Sequence, residues 1–131
     1  MPDDAKVVPH PLPEPLDAGS YARGRFIDPK DARDVKGFTL GVPDWAKVPG
    51  GKRERFLKEP MLCATECGAE ATLEFTGTCV GAYLLAGPDA GTVEVRVDGG
   101  AAKLVNLLHP YSAGLQYPYT AMFADGLTNS R

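Results

Sequence analysis

The second half of the chain is a series of short apolar stretches interrupted by glycine and proline, and this pattern limits the possible folds more than any other feature. In Thr92–Asp98, valines occupy every second position and mostly charged residues lie between them, as in a strand with one buried face. Asp98, Gly99 and Gly100 then supply the positive φ angles of a hairpin turn. Ala102–Leu108 follows as the expected return strand.

Two further segments predict strands. Ala71–Thr76 alternates, with Leu73 and Phe75 on its inner face. Thr78–Ala86 is almost continuously apolar, which is typical of a central strand buried on both sides, and 87–91 reads as a compact turn. Helical periodicity is nearly absent, so the predicted fold class is all-β, an antiparallel β-sandwich of jelly-roll type.

The first third is less regular. Five prolines within residues 1–20 favour an extended chain, so we divide the protein into a Pro-rich linker or strap (1–20) and a β-sandwich module (21–131). Within the module, Tyr21–Ile27 predicts a short strand and Lys30–Val35 one helical turn.

Charge and composition exclude some classes of function. The formal net charge is -3, and the one basic cluster, within residues 47–58, reads as a solvated loop; we therefore expect no nucleic-acid partner. No apolar run is long enough for a membrane span, so no membrane partner is expected either. The N-terminus lacks the features of a signal peptide, which leaves localisation open.

Three cysteines offer little chemistry. Cys63 and Cys67 do not have the usual two-residue spacing of a zinc knuckle, and Cys79 lies in an apolar strand pattern. We expect buried thiols or a single disulfide, with Cys63 and Cys67 as the pair to watch. No metal site and no cofactor is predicted, and no glycine-rich phosphate loop is present.

Several motifs together resemble a known domain. Leu73–Tyr83, Ala86–Gly91 and Val95–Gly100 are similar to the accessory β-sandwich domain of SGNH/GDSL-type hydrolases, which is frequent in bacterial carbohydrate-active proteins. Pro13–Tyr21 and Tyr111–Pro118 add to the likeness, which extends over nearly the whole chain.

The resemblance implies a non-catalytic module, C-terminal in a longer secreted or periplasmic hydrolase, that binds carbohydrate or docks on its own catalytic domain. It also implies that the sandwich normally continues past Leu127 with closing strands. A sheet lacking those strands would keep an open edge, through which a homodimer could form.

The alternatives are a small esterase or other hydrolase in its own right, and a structural pairing or assembly module. The chain lacks a Gly-Asp-Ser block and an Asp-x-x-His block, and Ser112 does not lie in a Gly-x-Ser-x-Gly elbow. His109 lies three residues from Ser112, so a triad can be drawn; we instead expect His109 to end a strand and Ser112 to hydrogen-bond its own turn. Glu74 and Glu94, the other acid–base candidates, fall on polar strand faces. We therefore predict no catalytic residue.

Aromatic side chains are the candidates for ligand binding. Trp45, Tyr111, Tyr117 and Tyr119 could stack on a sugar ring. The three tyrosines fall in a Pro- and Gly-containing segment that predicts a loop rather than a strand. A lid over the core is the competing interpretation of the same rings.

Overall fold

The computed structural model describes residues 8–14, 16–17 and 23–128, and its strands all pair antiparallel. Three 3-10 turns lie at Pro29–Asp31, Glu54–Phe56 and Pro110–Ser112, and this part of the chain contains no α-helix. The predicted all-β class is therefore confirmed. The eight strands are β1 (Arg33–Lys36), β2 (Thr39–Gly41), β3 (Met61–Cys63), β4 (Glu70–Thr72), β5 (Val80–Ala86), β6 (Thr92–Val95), β7 (Lys103–Asn106) and β8 (Tyr117–Ala124).

The strands form four two-stranded sheets, β1–β4, β2–β3, β5–β8 and β6–β7. The β5–β8 ribbon is the longest, and its register runs from Ala86 opposite Tyr117 to Val80 opposite Ala124, with an irregularity between Val80 and Gly81. Because opposite residues share a face, Ala86 and Ala121 fall on one face of this ribbon, and both are buried.

The other face of the ribbon is partly open to solvent. Tyr83, which lies opposite Thr120, is 52% exposed, and its ring contacts that of Phe26 edge-on, with ring centroids 6.1 Å apart. The prediction that Thr78–Ala86 is a central strand buried on both sides is therefore wrong. In the part of the chain that the structure describes, β5 has one neighbouring strand, and an apolar run alone does not reveal how many neighbours a strand has.

The β6–β7 hairpin follows its sequence pattern. Val93, Val95 and Val97 are half-buried, whereas the residues between them are exposed. Asp98 and Gly99 have φ angles of 50° and 71°, and the Gly100 amide donates to the Val97 carbonyl at 2.9 Å. This is the turn type whose twist suits a hairpin. The predicted turn is therefore confirmed, but the positive φ expected at Gly100 is not found.

Three other segments differ from their predictions. The strand expected over 71–76 ends at Thr72, because its partner β1 is short and the register between them shifts. Residues 24–28 contain no strand; 21 and 22, which began the predicted Tyr21–Ile27 strand, lie outside the described residues. The turn expected at Lys30–Val35 begins at Pro29, where the Asp28 carboxylate accepts from the Lys30 amide at 3.0 Å, and gives way to β1.

The Pro-rich strap carries no strand or helix at residues 8–14 and 16–17, and these residues are exposed. The remainder of 1–20 lies outside the described residues. None of the helical turns in the described part has the length and apolar character needed to cross a membrane.

Candidate functional site

Gln116 has a buried polar side chain, which is 5% exposed. Its amide nitrogen Nε2 donates to the Pro49 carbonyl at 2.9 Å and to Asp89 Oδ1 at 3.0 Å. Its backbone amide donates to the Gly51 carbonyl at 2.8 Å. One residue thus ties the loop at 49–51 and the turn at 87–90 to the start of β8. We call residues 49–51, 87–89 and 114–116 the Gln116 junction.

Glycines allow this close approach. A Cβ on Gly87 would overlap Gln116 Nε2 and Cδ and Asp89 Oδ1. Gly50 has a φ of +80°, and a Cβ there would lie 3.0 Å from Pro88 Cδ. Larger residues at either position would push the junction apart.

Four aromatic rings lie side by side next to the junction. The His109 ring stacks on Tyr117, with centroids 4.5 Å apart and an interplanar angle of 19°. It is tilted against Tyr119 at 4.9 Å and against Tyr111 at 5.3 Å. We call His109, Tyr111, Tyr117 and Tyr119 the aromatic cluster.

Two elements position the cluster. Tyr117 and Tyr119 lie two residues apart on β8, so they share a face. His109 caps the turn at Pro110–Ser112, where its Nδ1 accepts from the Tyr111 amide at 3.2 Å. Because Nδ1 is the acceptor, the neutral imidazole carries its proton on Nε2.

The rings differ in exposure. Tyr119 is half-buried, its hydroxyl donates to the Leu107 carbonyl at 2.7 Å, and burial raises the pKa of its phenol above 10.0. Tyr111 is 68% exposed. The cluster is therefore anchored at one end and open to solvent at the other.

A shallow depression of about 280 Å³ borders these rings and is lined by Leu108, His109, Pro110 and Ala113. Its walls are apolar, apart from the imidazole, and none of them carries a carboxylate or an ammonium group. Such a surface suits a neutral ligand that has both an apolar face and hydroxyl groups.

The structure brings together three of the four candidate ligand-binding residues, Tyr111, Tyr117 and Tyr119, but Trp45 lies apart from them. The Trp45 indole is half-buried and donates to the Leu57 carbonyl at 3.0 Å, which fastens two loops together. The loop predicted for the tyrosines is wrong for Tyr117 and Tyr119, because β8 pairs along its length with β5 and Pro118 is accommodated within it. His109 joins the rings, a role that the sequence analysis missed.

Ser112 and His109 do not form a catalytic pair in this structure. Ser112 is 0% exposed, and its hydroxyl has no hydrogen-bond partner among the residues described. The Ser112 amide donates to the His109 carbonyl at 2.8 Å, so the expected bond to its own turn is made by the backbone and not by the side chain. Glu74 and Glu94 are exposed and form ion pairs with Arg33 and Arg96.

The three cysteines are free thiols, and burial raises the pKa of Cys63. Cys67 is exposed and Cys79 half-buried. Within the described ranges, no three side chains of His, Cys, Asp or Glu converge as a metal site.

Comparison with protein-family models, with curated proteins and with solved structures finds no match for this chain.

Proposed function

We propose that this chain is a non-catalytic carbohydrate-binding module, a β-sandwich accessory domain of an SGNH/GDSL-type hydrolase, and that the aromatic cluster is its ligand site. The observation that supports this best is the arrangement of His109, Tyr111 and Tyr117 around one open surface, with Tyr111 68% exposed. The link to a hydrolase comes from the sequence resemblance.

The chemistry of the cluster fits a sugar. The C–H face of a pyranose ring is apolar and packs on the face of an aromatic ring, which has negative partial charge. His109 Nε2–H and the tyrosine hydroxyls are hydrogen-bond partners for ring hydroxyls. The apolar depression beside the rings gives a sugar chain room to extend.

Affinity gel electrophoresis tests the proposal. The chain is run through gels containing soluble β-glucan, xylan, galactomannan or arabinan, and at least one of them should retard it. Tyr111→Ala should weaken that binding about tenfold, the equivalent of about 1.4 kcal/mol. Leu104→Ala is the matched control, because Leu104 is a large side chain as exposed as Tyr111 but lies outside the cluster. Unretarded migration in all four gels, or equal retardation of Tyr111→Ala, contradicts carbohydrate binding at this site.

Docking on a catalytic domain is the second candidate, and two exposed apolar side chains favour it. Phe26 is 87% exposed and Leu104 is 72% exposed, and both are well suited to an interface core.

Titration calorimetry with a separately purified SGNH/GDSL-type catalytic domain tests docking. Leu104→Asp should weaken the association, whereas Tyr111→Ala should leave it unchanged. Absence of binding to that domain, together with retardation in a polysaccharide gel, would favour the carbohydrate site.

A further inference from the structure

The β5–β8 ribbon has two outer edges, one on each strand. β5 pairs only with β8 among the strands of the described ranges, so one edge of each strand lacks a strand partner. Pro118, opposite Leu85, has no N–H to donate to its neighbour. Leu85 and Pro118 therefore fit a non-hydrogen-bonded pair, in which the backbone N–H and C=O groups of both residues point away from the partner strand. By alternation, the N–H and C=O groups of Gly81, Tyr83 and Leu85 point outward from β5.

The two edges of the ribbon differ in how well they are protected. On β8, Pro118 removes a donor and the Lys103 ammonium donates to the Phe123 carbonyl at 2.9 Å. β5 has neither a proline nor a charged residue, which are two of the features that block an edge. Addition of a strand is therefore favoured at β5.

We propose that a second copy of this chain adds antiparallel to β5, giving a four-stranded sheet in the order β8–β5–β5′–β8′. In such a two-fold pairing each residue of β5 faces another residue of β5. Any charge on β5 would therefore occur twice in the interface, and like charges opposite each other would destabilise the pairing. Val80–Ala86 contains no charged residue, so this repulsion does not arise.

The register of the pairing follows from the edge. Tyr83 is the middle residue of the seven in β5, so a two-fold axis beside it places Tyr83 opposite Tyr83′ and Gly81 opposite Leu85′. All three of these residues direct their backbone groups outward, and three such pairs exchange about six hydrogen bonds. The Tyr83 rings would meet on the open face, next to Phe26.

Exposed aromatic side chains beside the edge are available for this contact. Tyr83 is 52% exposed, and Phe26, whose ring centroid lies 6.1 Å from that of Tyr83, is 87% exposed. The dimer does not depend on the proposed carbohydrate site, because Tyr83 and the aromatic cluster lie on opposite faces of the ribbon.

Light scattering after size-exclusion chromatography of the full chain tests the proposal. The wild type should have twice the mass of one 13.9 kDa chain. Tyr83→Lys should halve that mass, because it places two ammonium groups side by side. Thr120→Lys is the matched control, since Thr120 lies opposite Tyr83 on the same face but on β8, and it should remain a dimer.

A mixture of Tyr83→Lys and Tyr83→Glu chains guards against a folding defect. Opposite charges at the two-fold axis should restore the doubled mass, which two misfolded chains would not do. In the restored dimer and in the wild type, the amides of Gly81, Tyr83 and Leu85 should exchange more slowly than in the Tyr83→Lys monomer. A monomeric wild type, a dimer that survives Tyr83→Lys, or a mixture that stays monomeric overturns the proposal.

Discussion

The Gln116 junction and the β6–β7 hairpin are stabilised in different ways. The junction is built from glycines, prolines, Asp89 and Gln116, and long-range hydrogen bonds hold the buried Gln116 side chain in it. The hairpin has an ideal apolar alternation and turn, yet its valines are only half-buried and Leu104 is exposed. The part with the clearest periodicity is therefore not the part that holds distant segments together.

Replacement of Gln116 should have the largest effect on stability. Gln116→Leu keeps the approximate volume but removes the donor to the Pro49 carbonyl and to Asp89 Oδ1. Loss of these two part-buried hydrogen bonds, one of them to a carboxylate, should lower the free energy of unfolding by about 3 kcal/mol, as measured by urea denaturation.

Leu104→Ala in the hairpin is the comparison for this variant. Because Leu104 is mostly exposed, its truncation should change the free energy of unfolding by no more than about 0.5 kcal/mol. An equal or larger loss in Leu104→Ala would show that the hairpin, and not the junction, carries the stability.

Gly87→Ala should come next. The new methyl group would overlap the Gln116 amide, and overpacking of this kind costs about 2 kcal/mol. Gly99→Ala is the comparison. It also strains a turn, but no atom lies within 4 Å of the Cβ it would add, so it should destabilise the chain less than Gly87→Ala. In denaturation experiments, a double variant Gly87→Ala/Gln116→Leu should lose less than the sum of the single variants, because both act on the same contact. Full additivity would mean that the two residues do not interact.

Tyr119 should make stability depend on pH in the alkaline range. Burial raises the pKa of its phenol above 10.0, so between the unfolded and the folded pKa the folded state binds more protons. The free energy of unfolding therefore falls as the pH rises from about 10 through the folded pKa, whereas the contribution of Tyr119 is complete below pH 10. Urea titrations over this range should show a shallower fall in Tyr119→Phe, and an unchanged slope would contradict a folded-state shift at Tyr119.

Surface ion pairs outside the junction should have the smallest effect. Arg33 and Glu74 lie 2.8 Å apart and link β1 to the segment after β4, but both side chains are exposed. A double-mutant cycle with Arg33→Ala and Glu74→Ala should give a coupling of about 0.5 kcal/mol that decreases with added salt. A coupling as large as the loss in Gln116→Leu would erase the contrast between the two regions.

The sequence allows prediction of those parts of the fold in which local chemistry decides the conformation. The Asp98-Gly99 turn and the alternation of Val93 and Val95 follow from residues adjacent in the chain, and both are confirmed. The neighbours of β5 are a long-range property, and the same apolar run suits a strand covered on one side or on two. The strand ends at Thr72 because of its pairing with β1, and the sequence of residues 71–76 alone does not predict that pairing.

The candidate site was predictable in part for the same reason. Tyr111, Tyr117 and Tyr119 are close in sequence, so their proximity was expected, whereas the separation of Trp45 required the fold. His109 has a local signal, since it lies two residues before Tyr111 and precedes a proline that opens a turn. Gln116 has no such signal, because its partner Pro49 lies 67 residues away.

A two-dimensional NMR titration tests most directly whether the junction supports a sugar-binding surface. The chain is titrated with a soluble oligosaccharide derived from the polysaccharide that retards it most in the gels. Chemical-shift changes should concentrate at residues 108–113 and at Tyr117 and Tyr119, with the amides of β6 and β7 unaffected. Changes centred on the hairpin or on the basic loop at 47–58, or no changes at saturating oligosaccharide, would contradict the account.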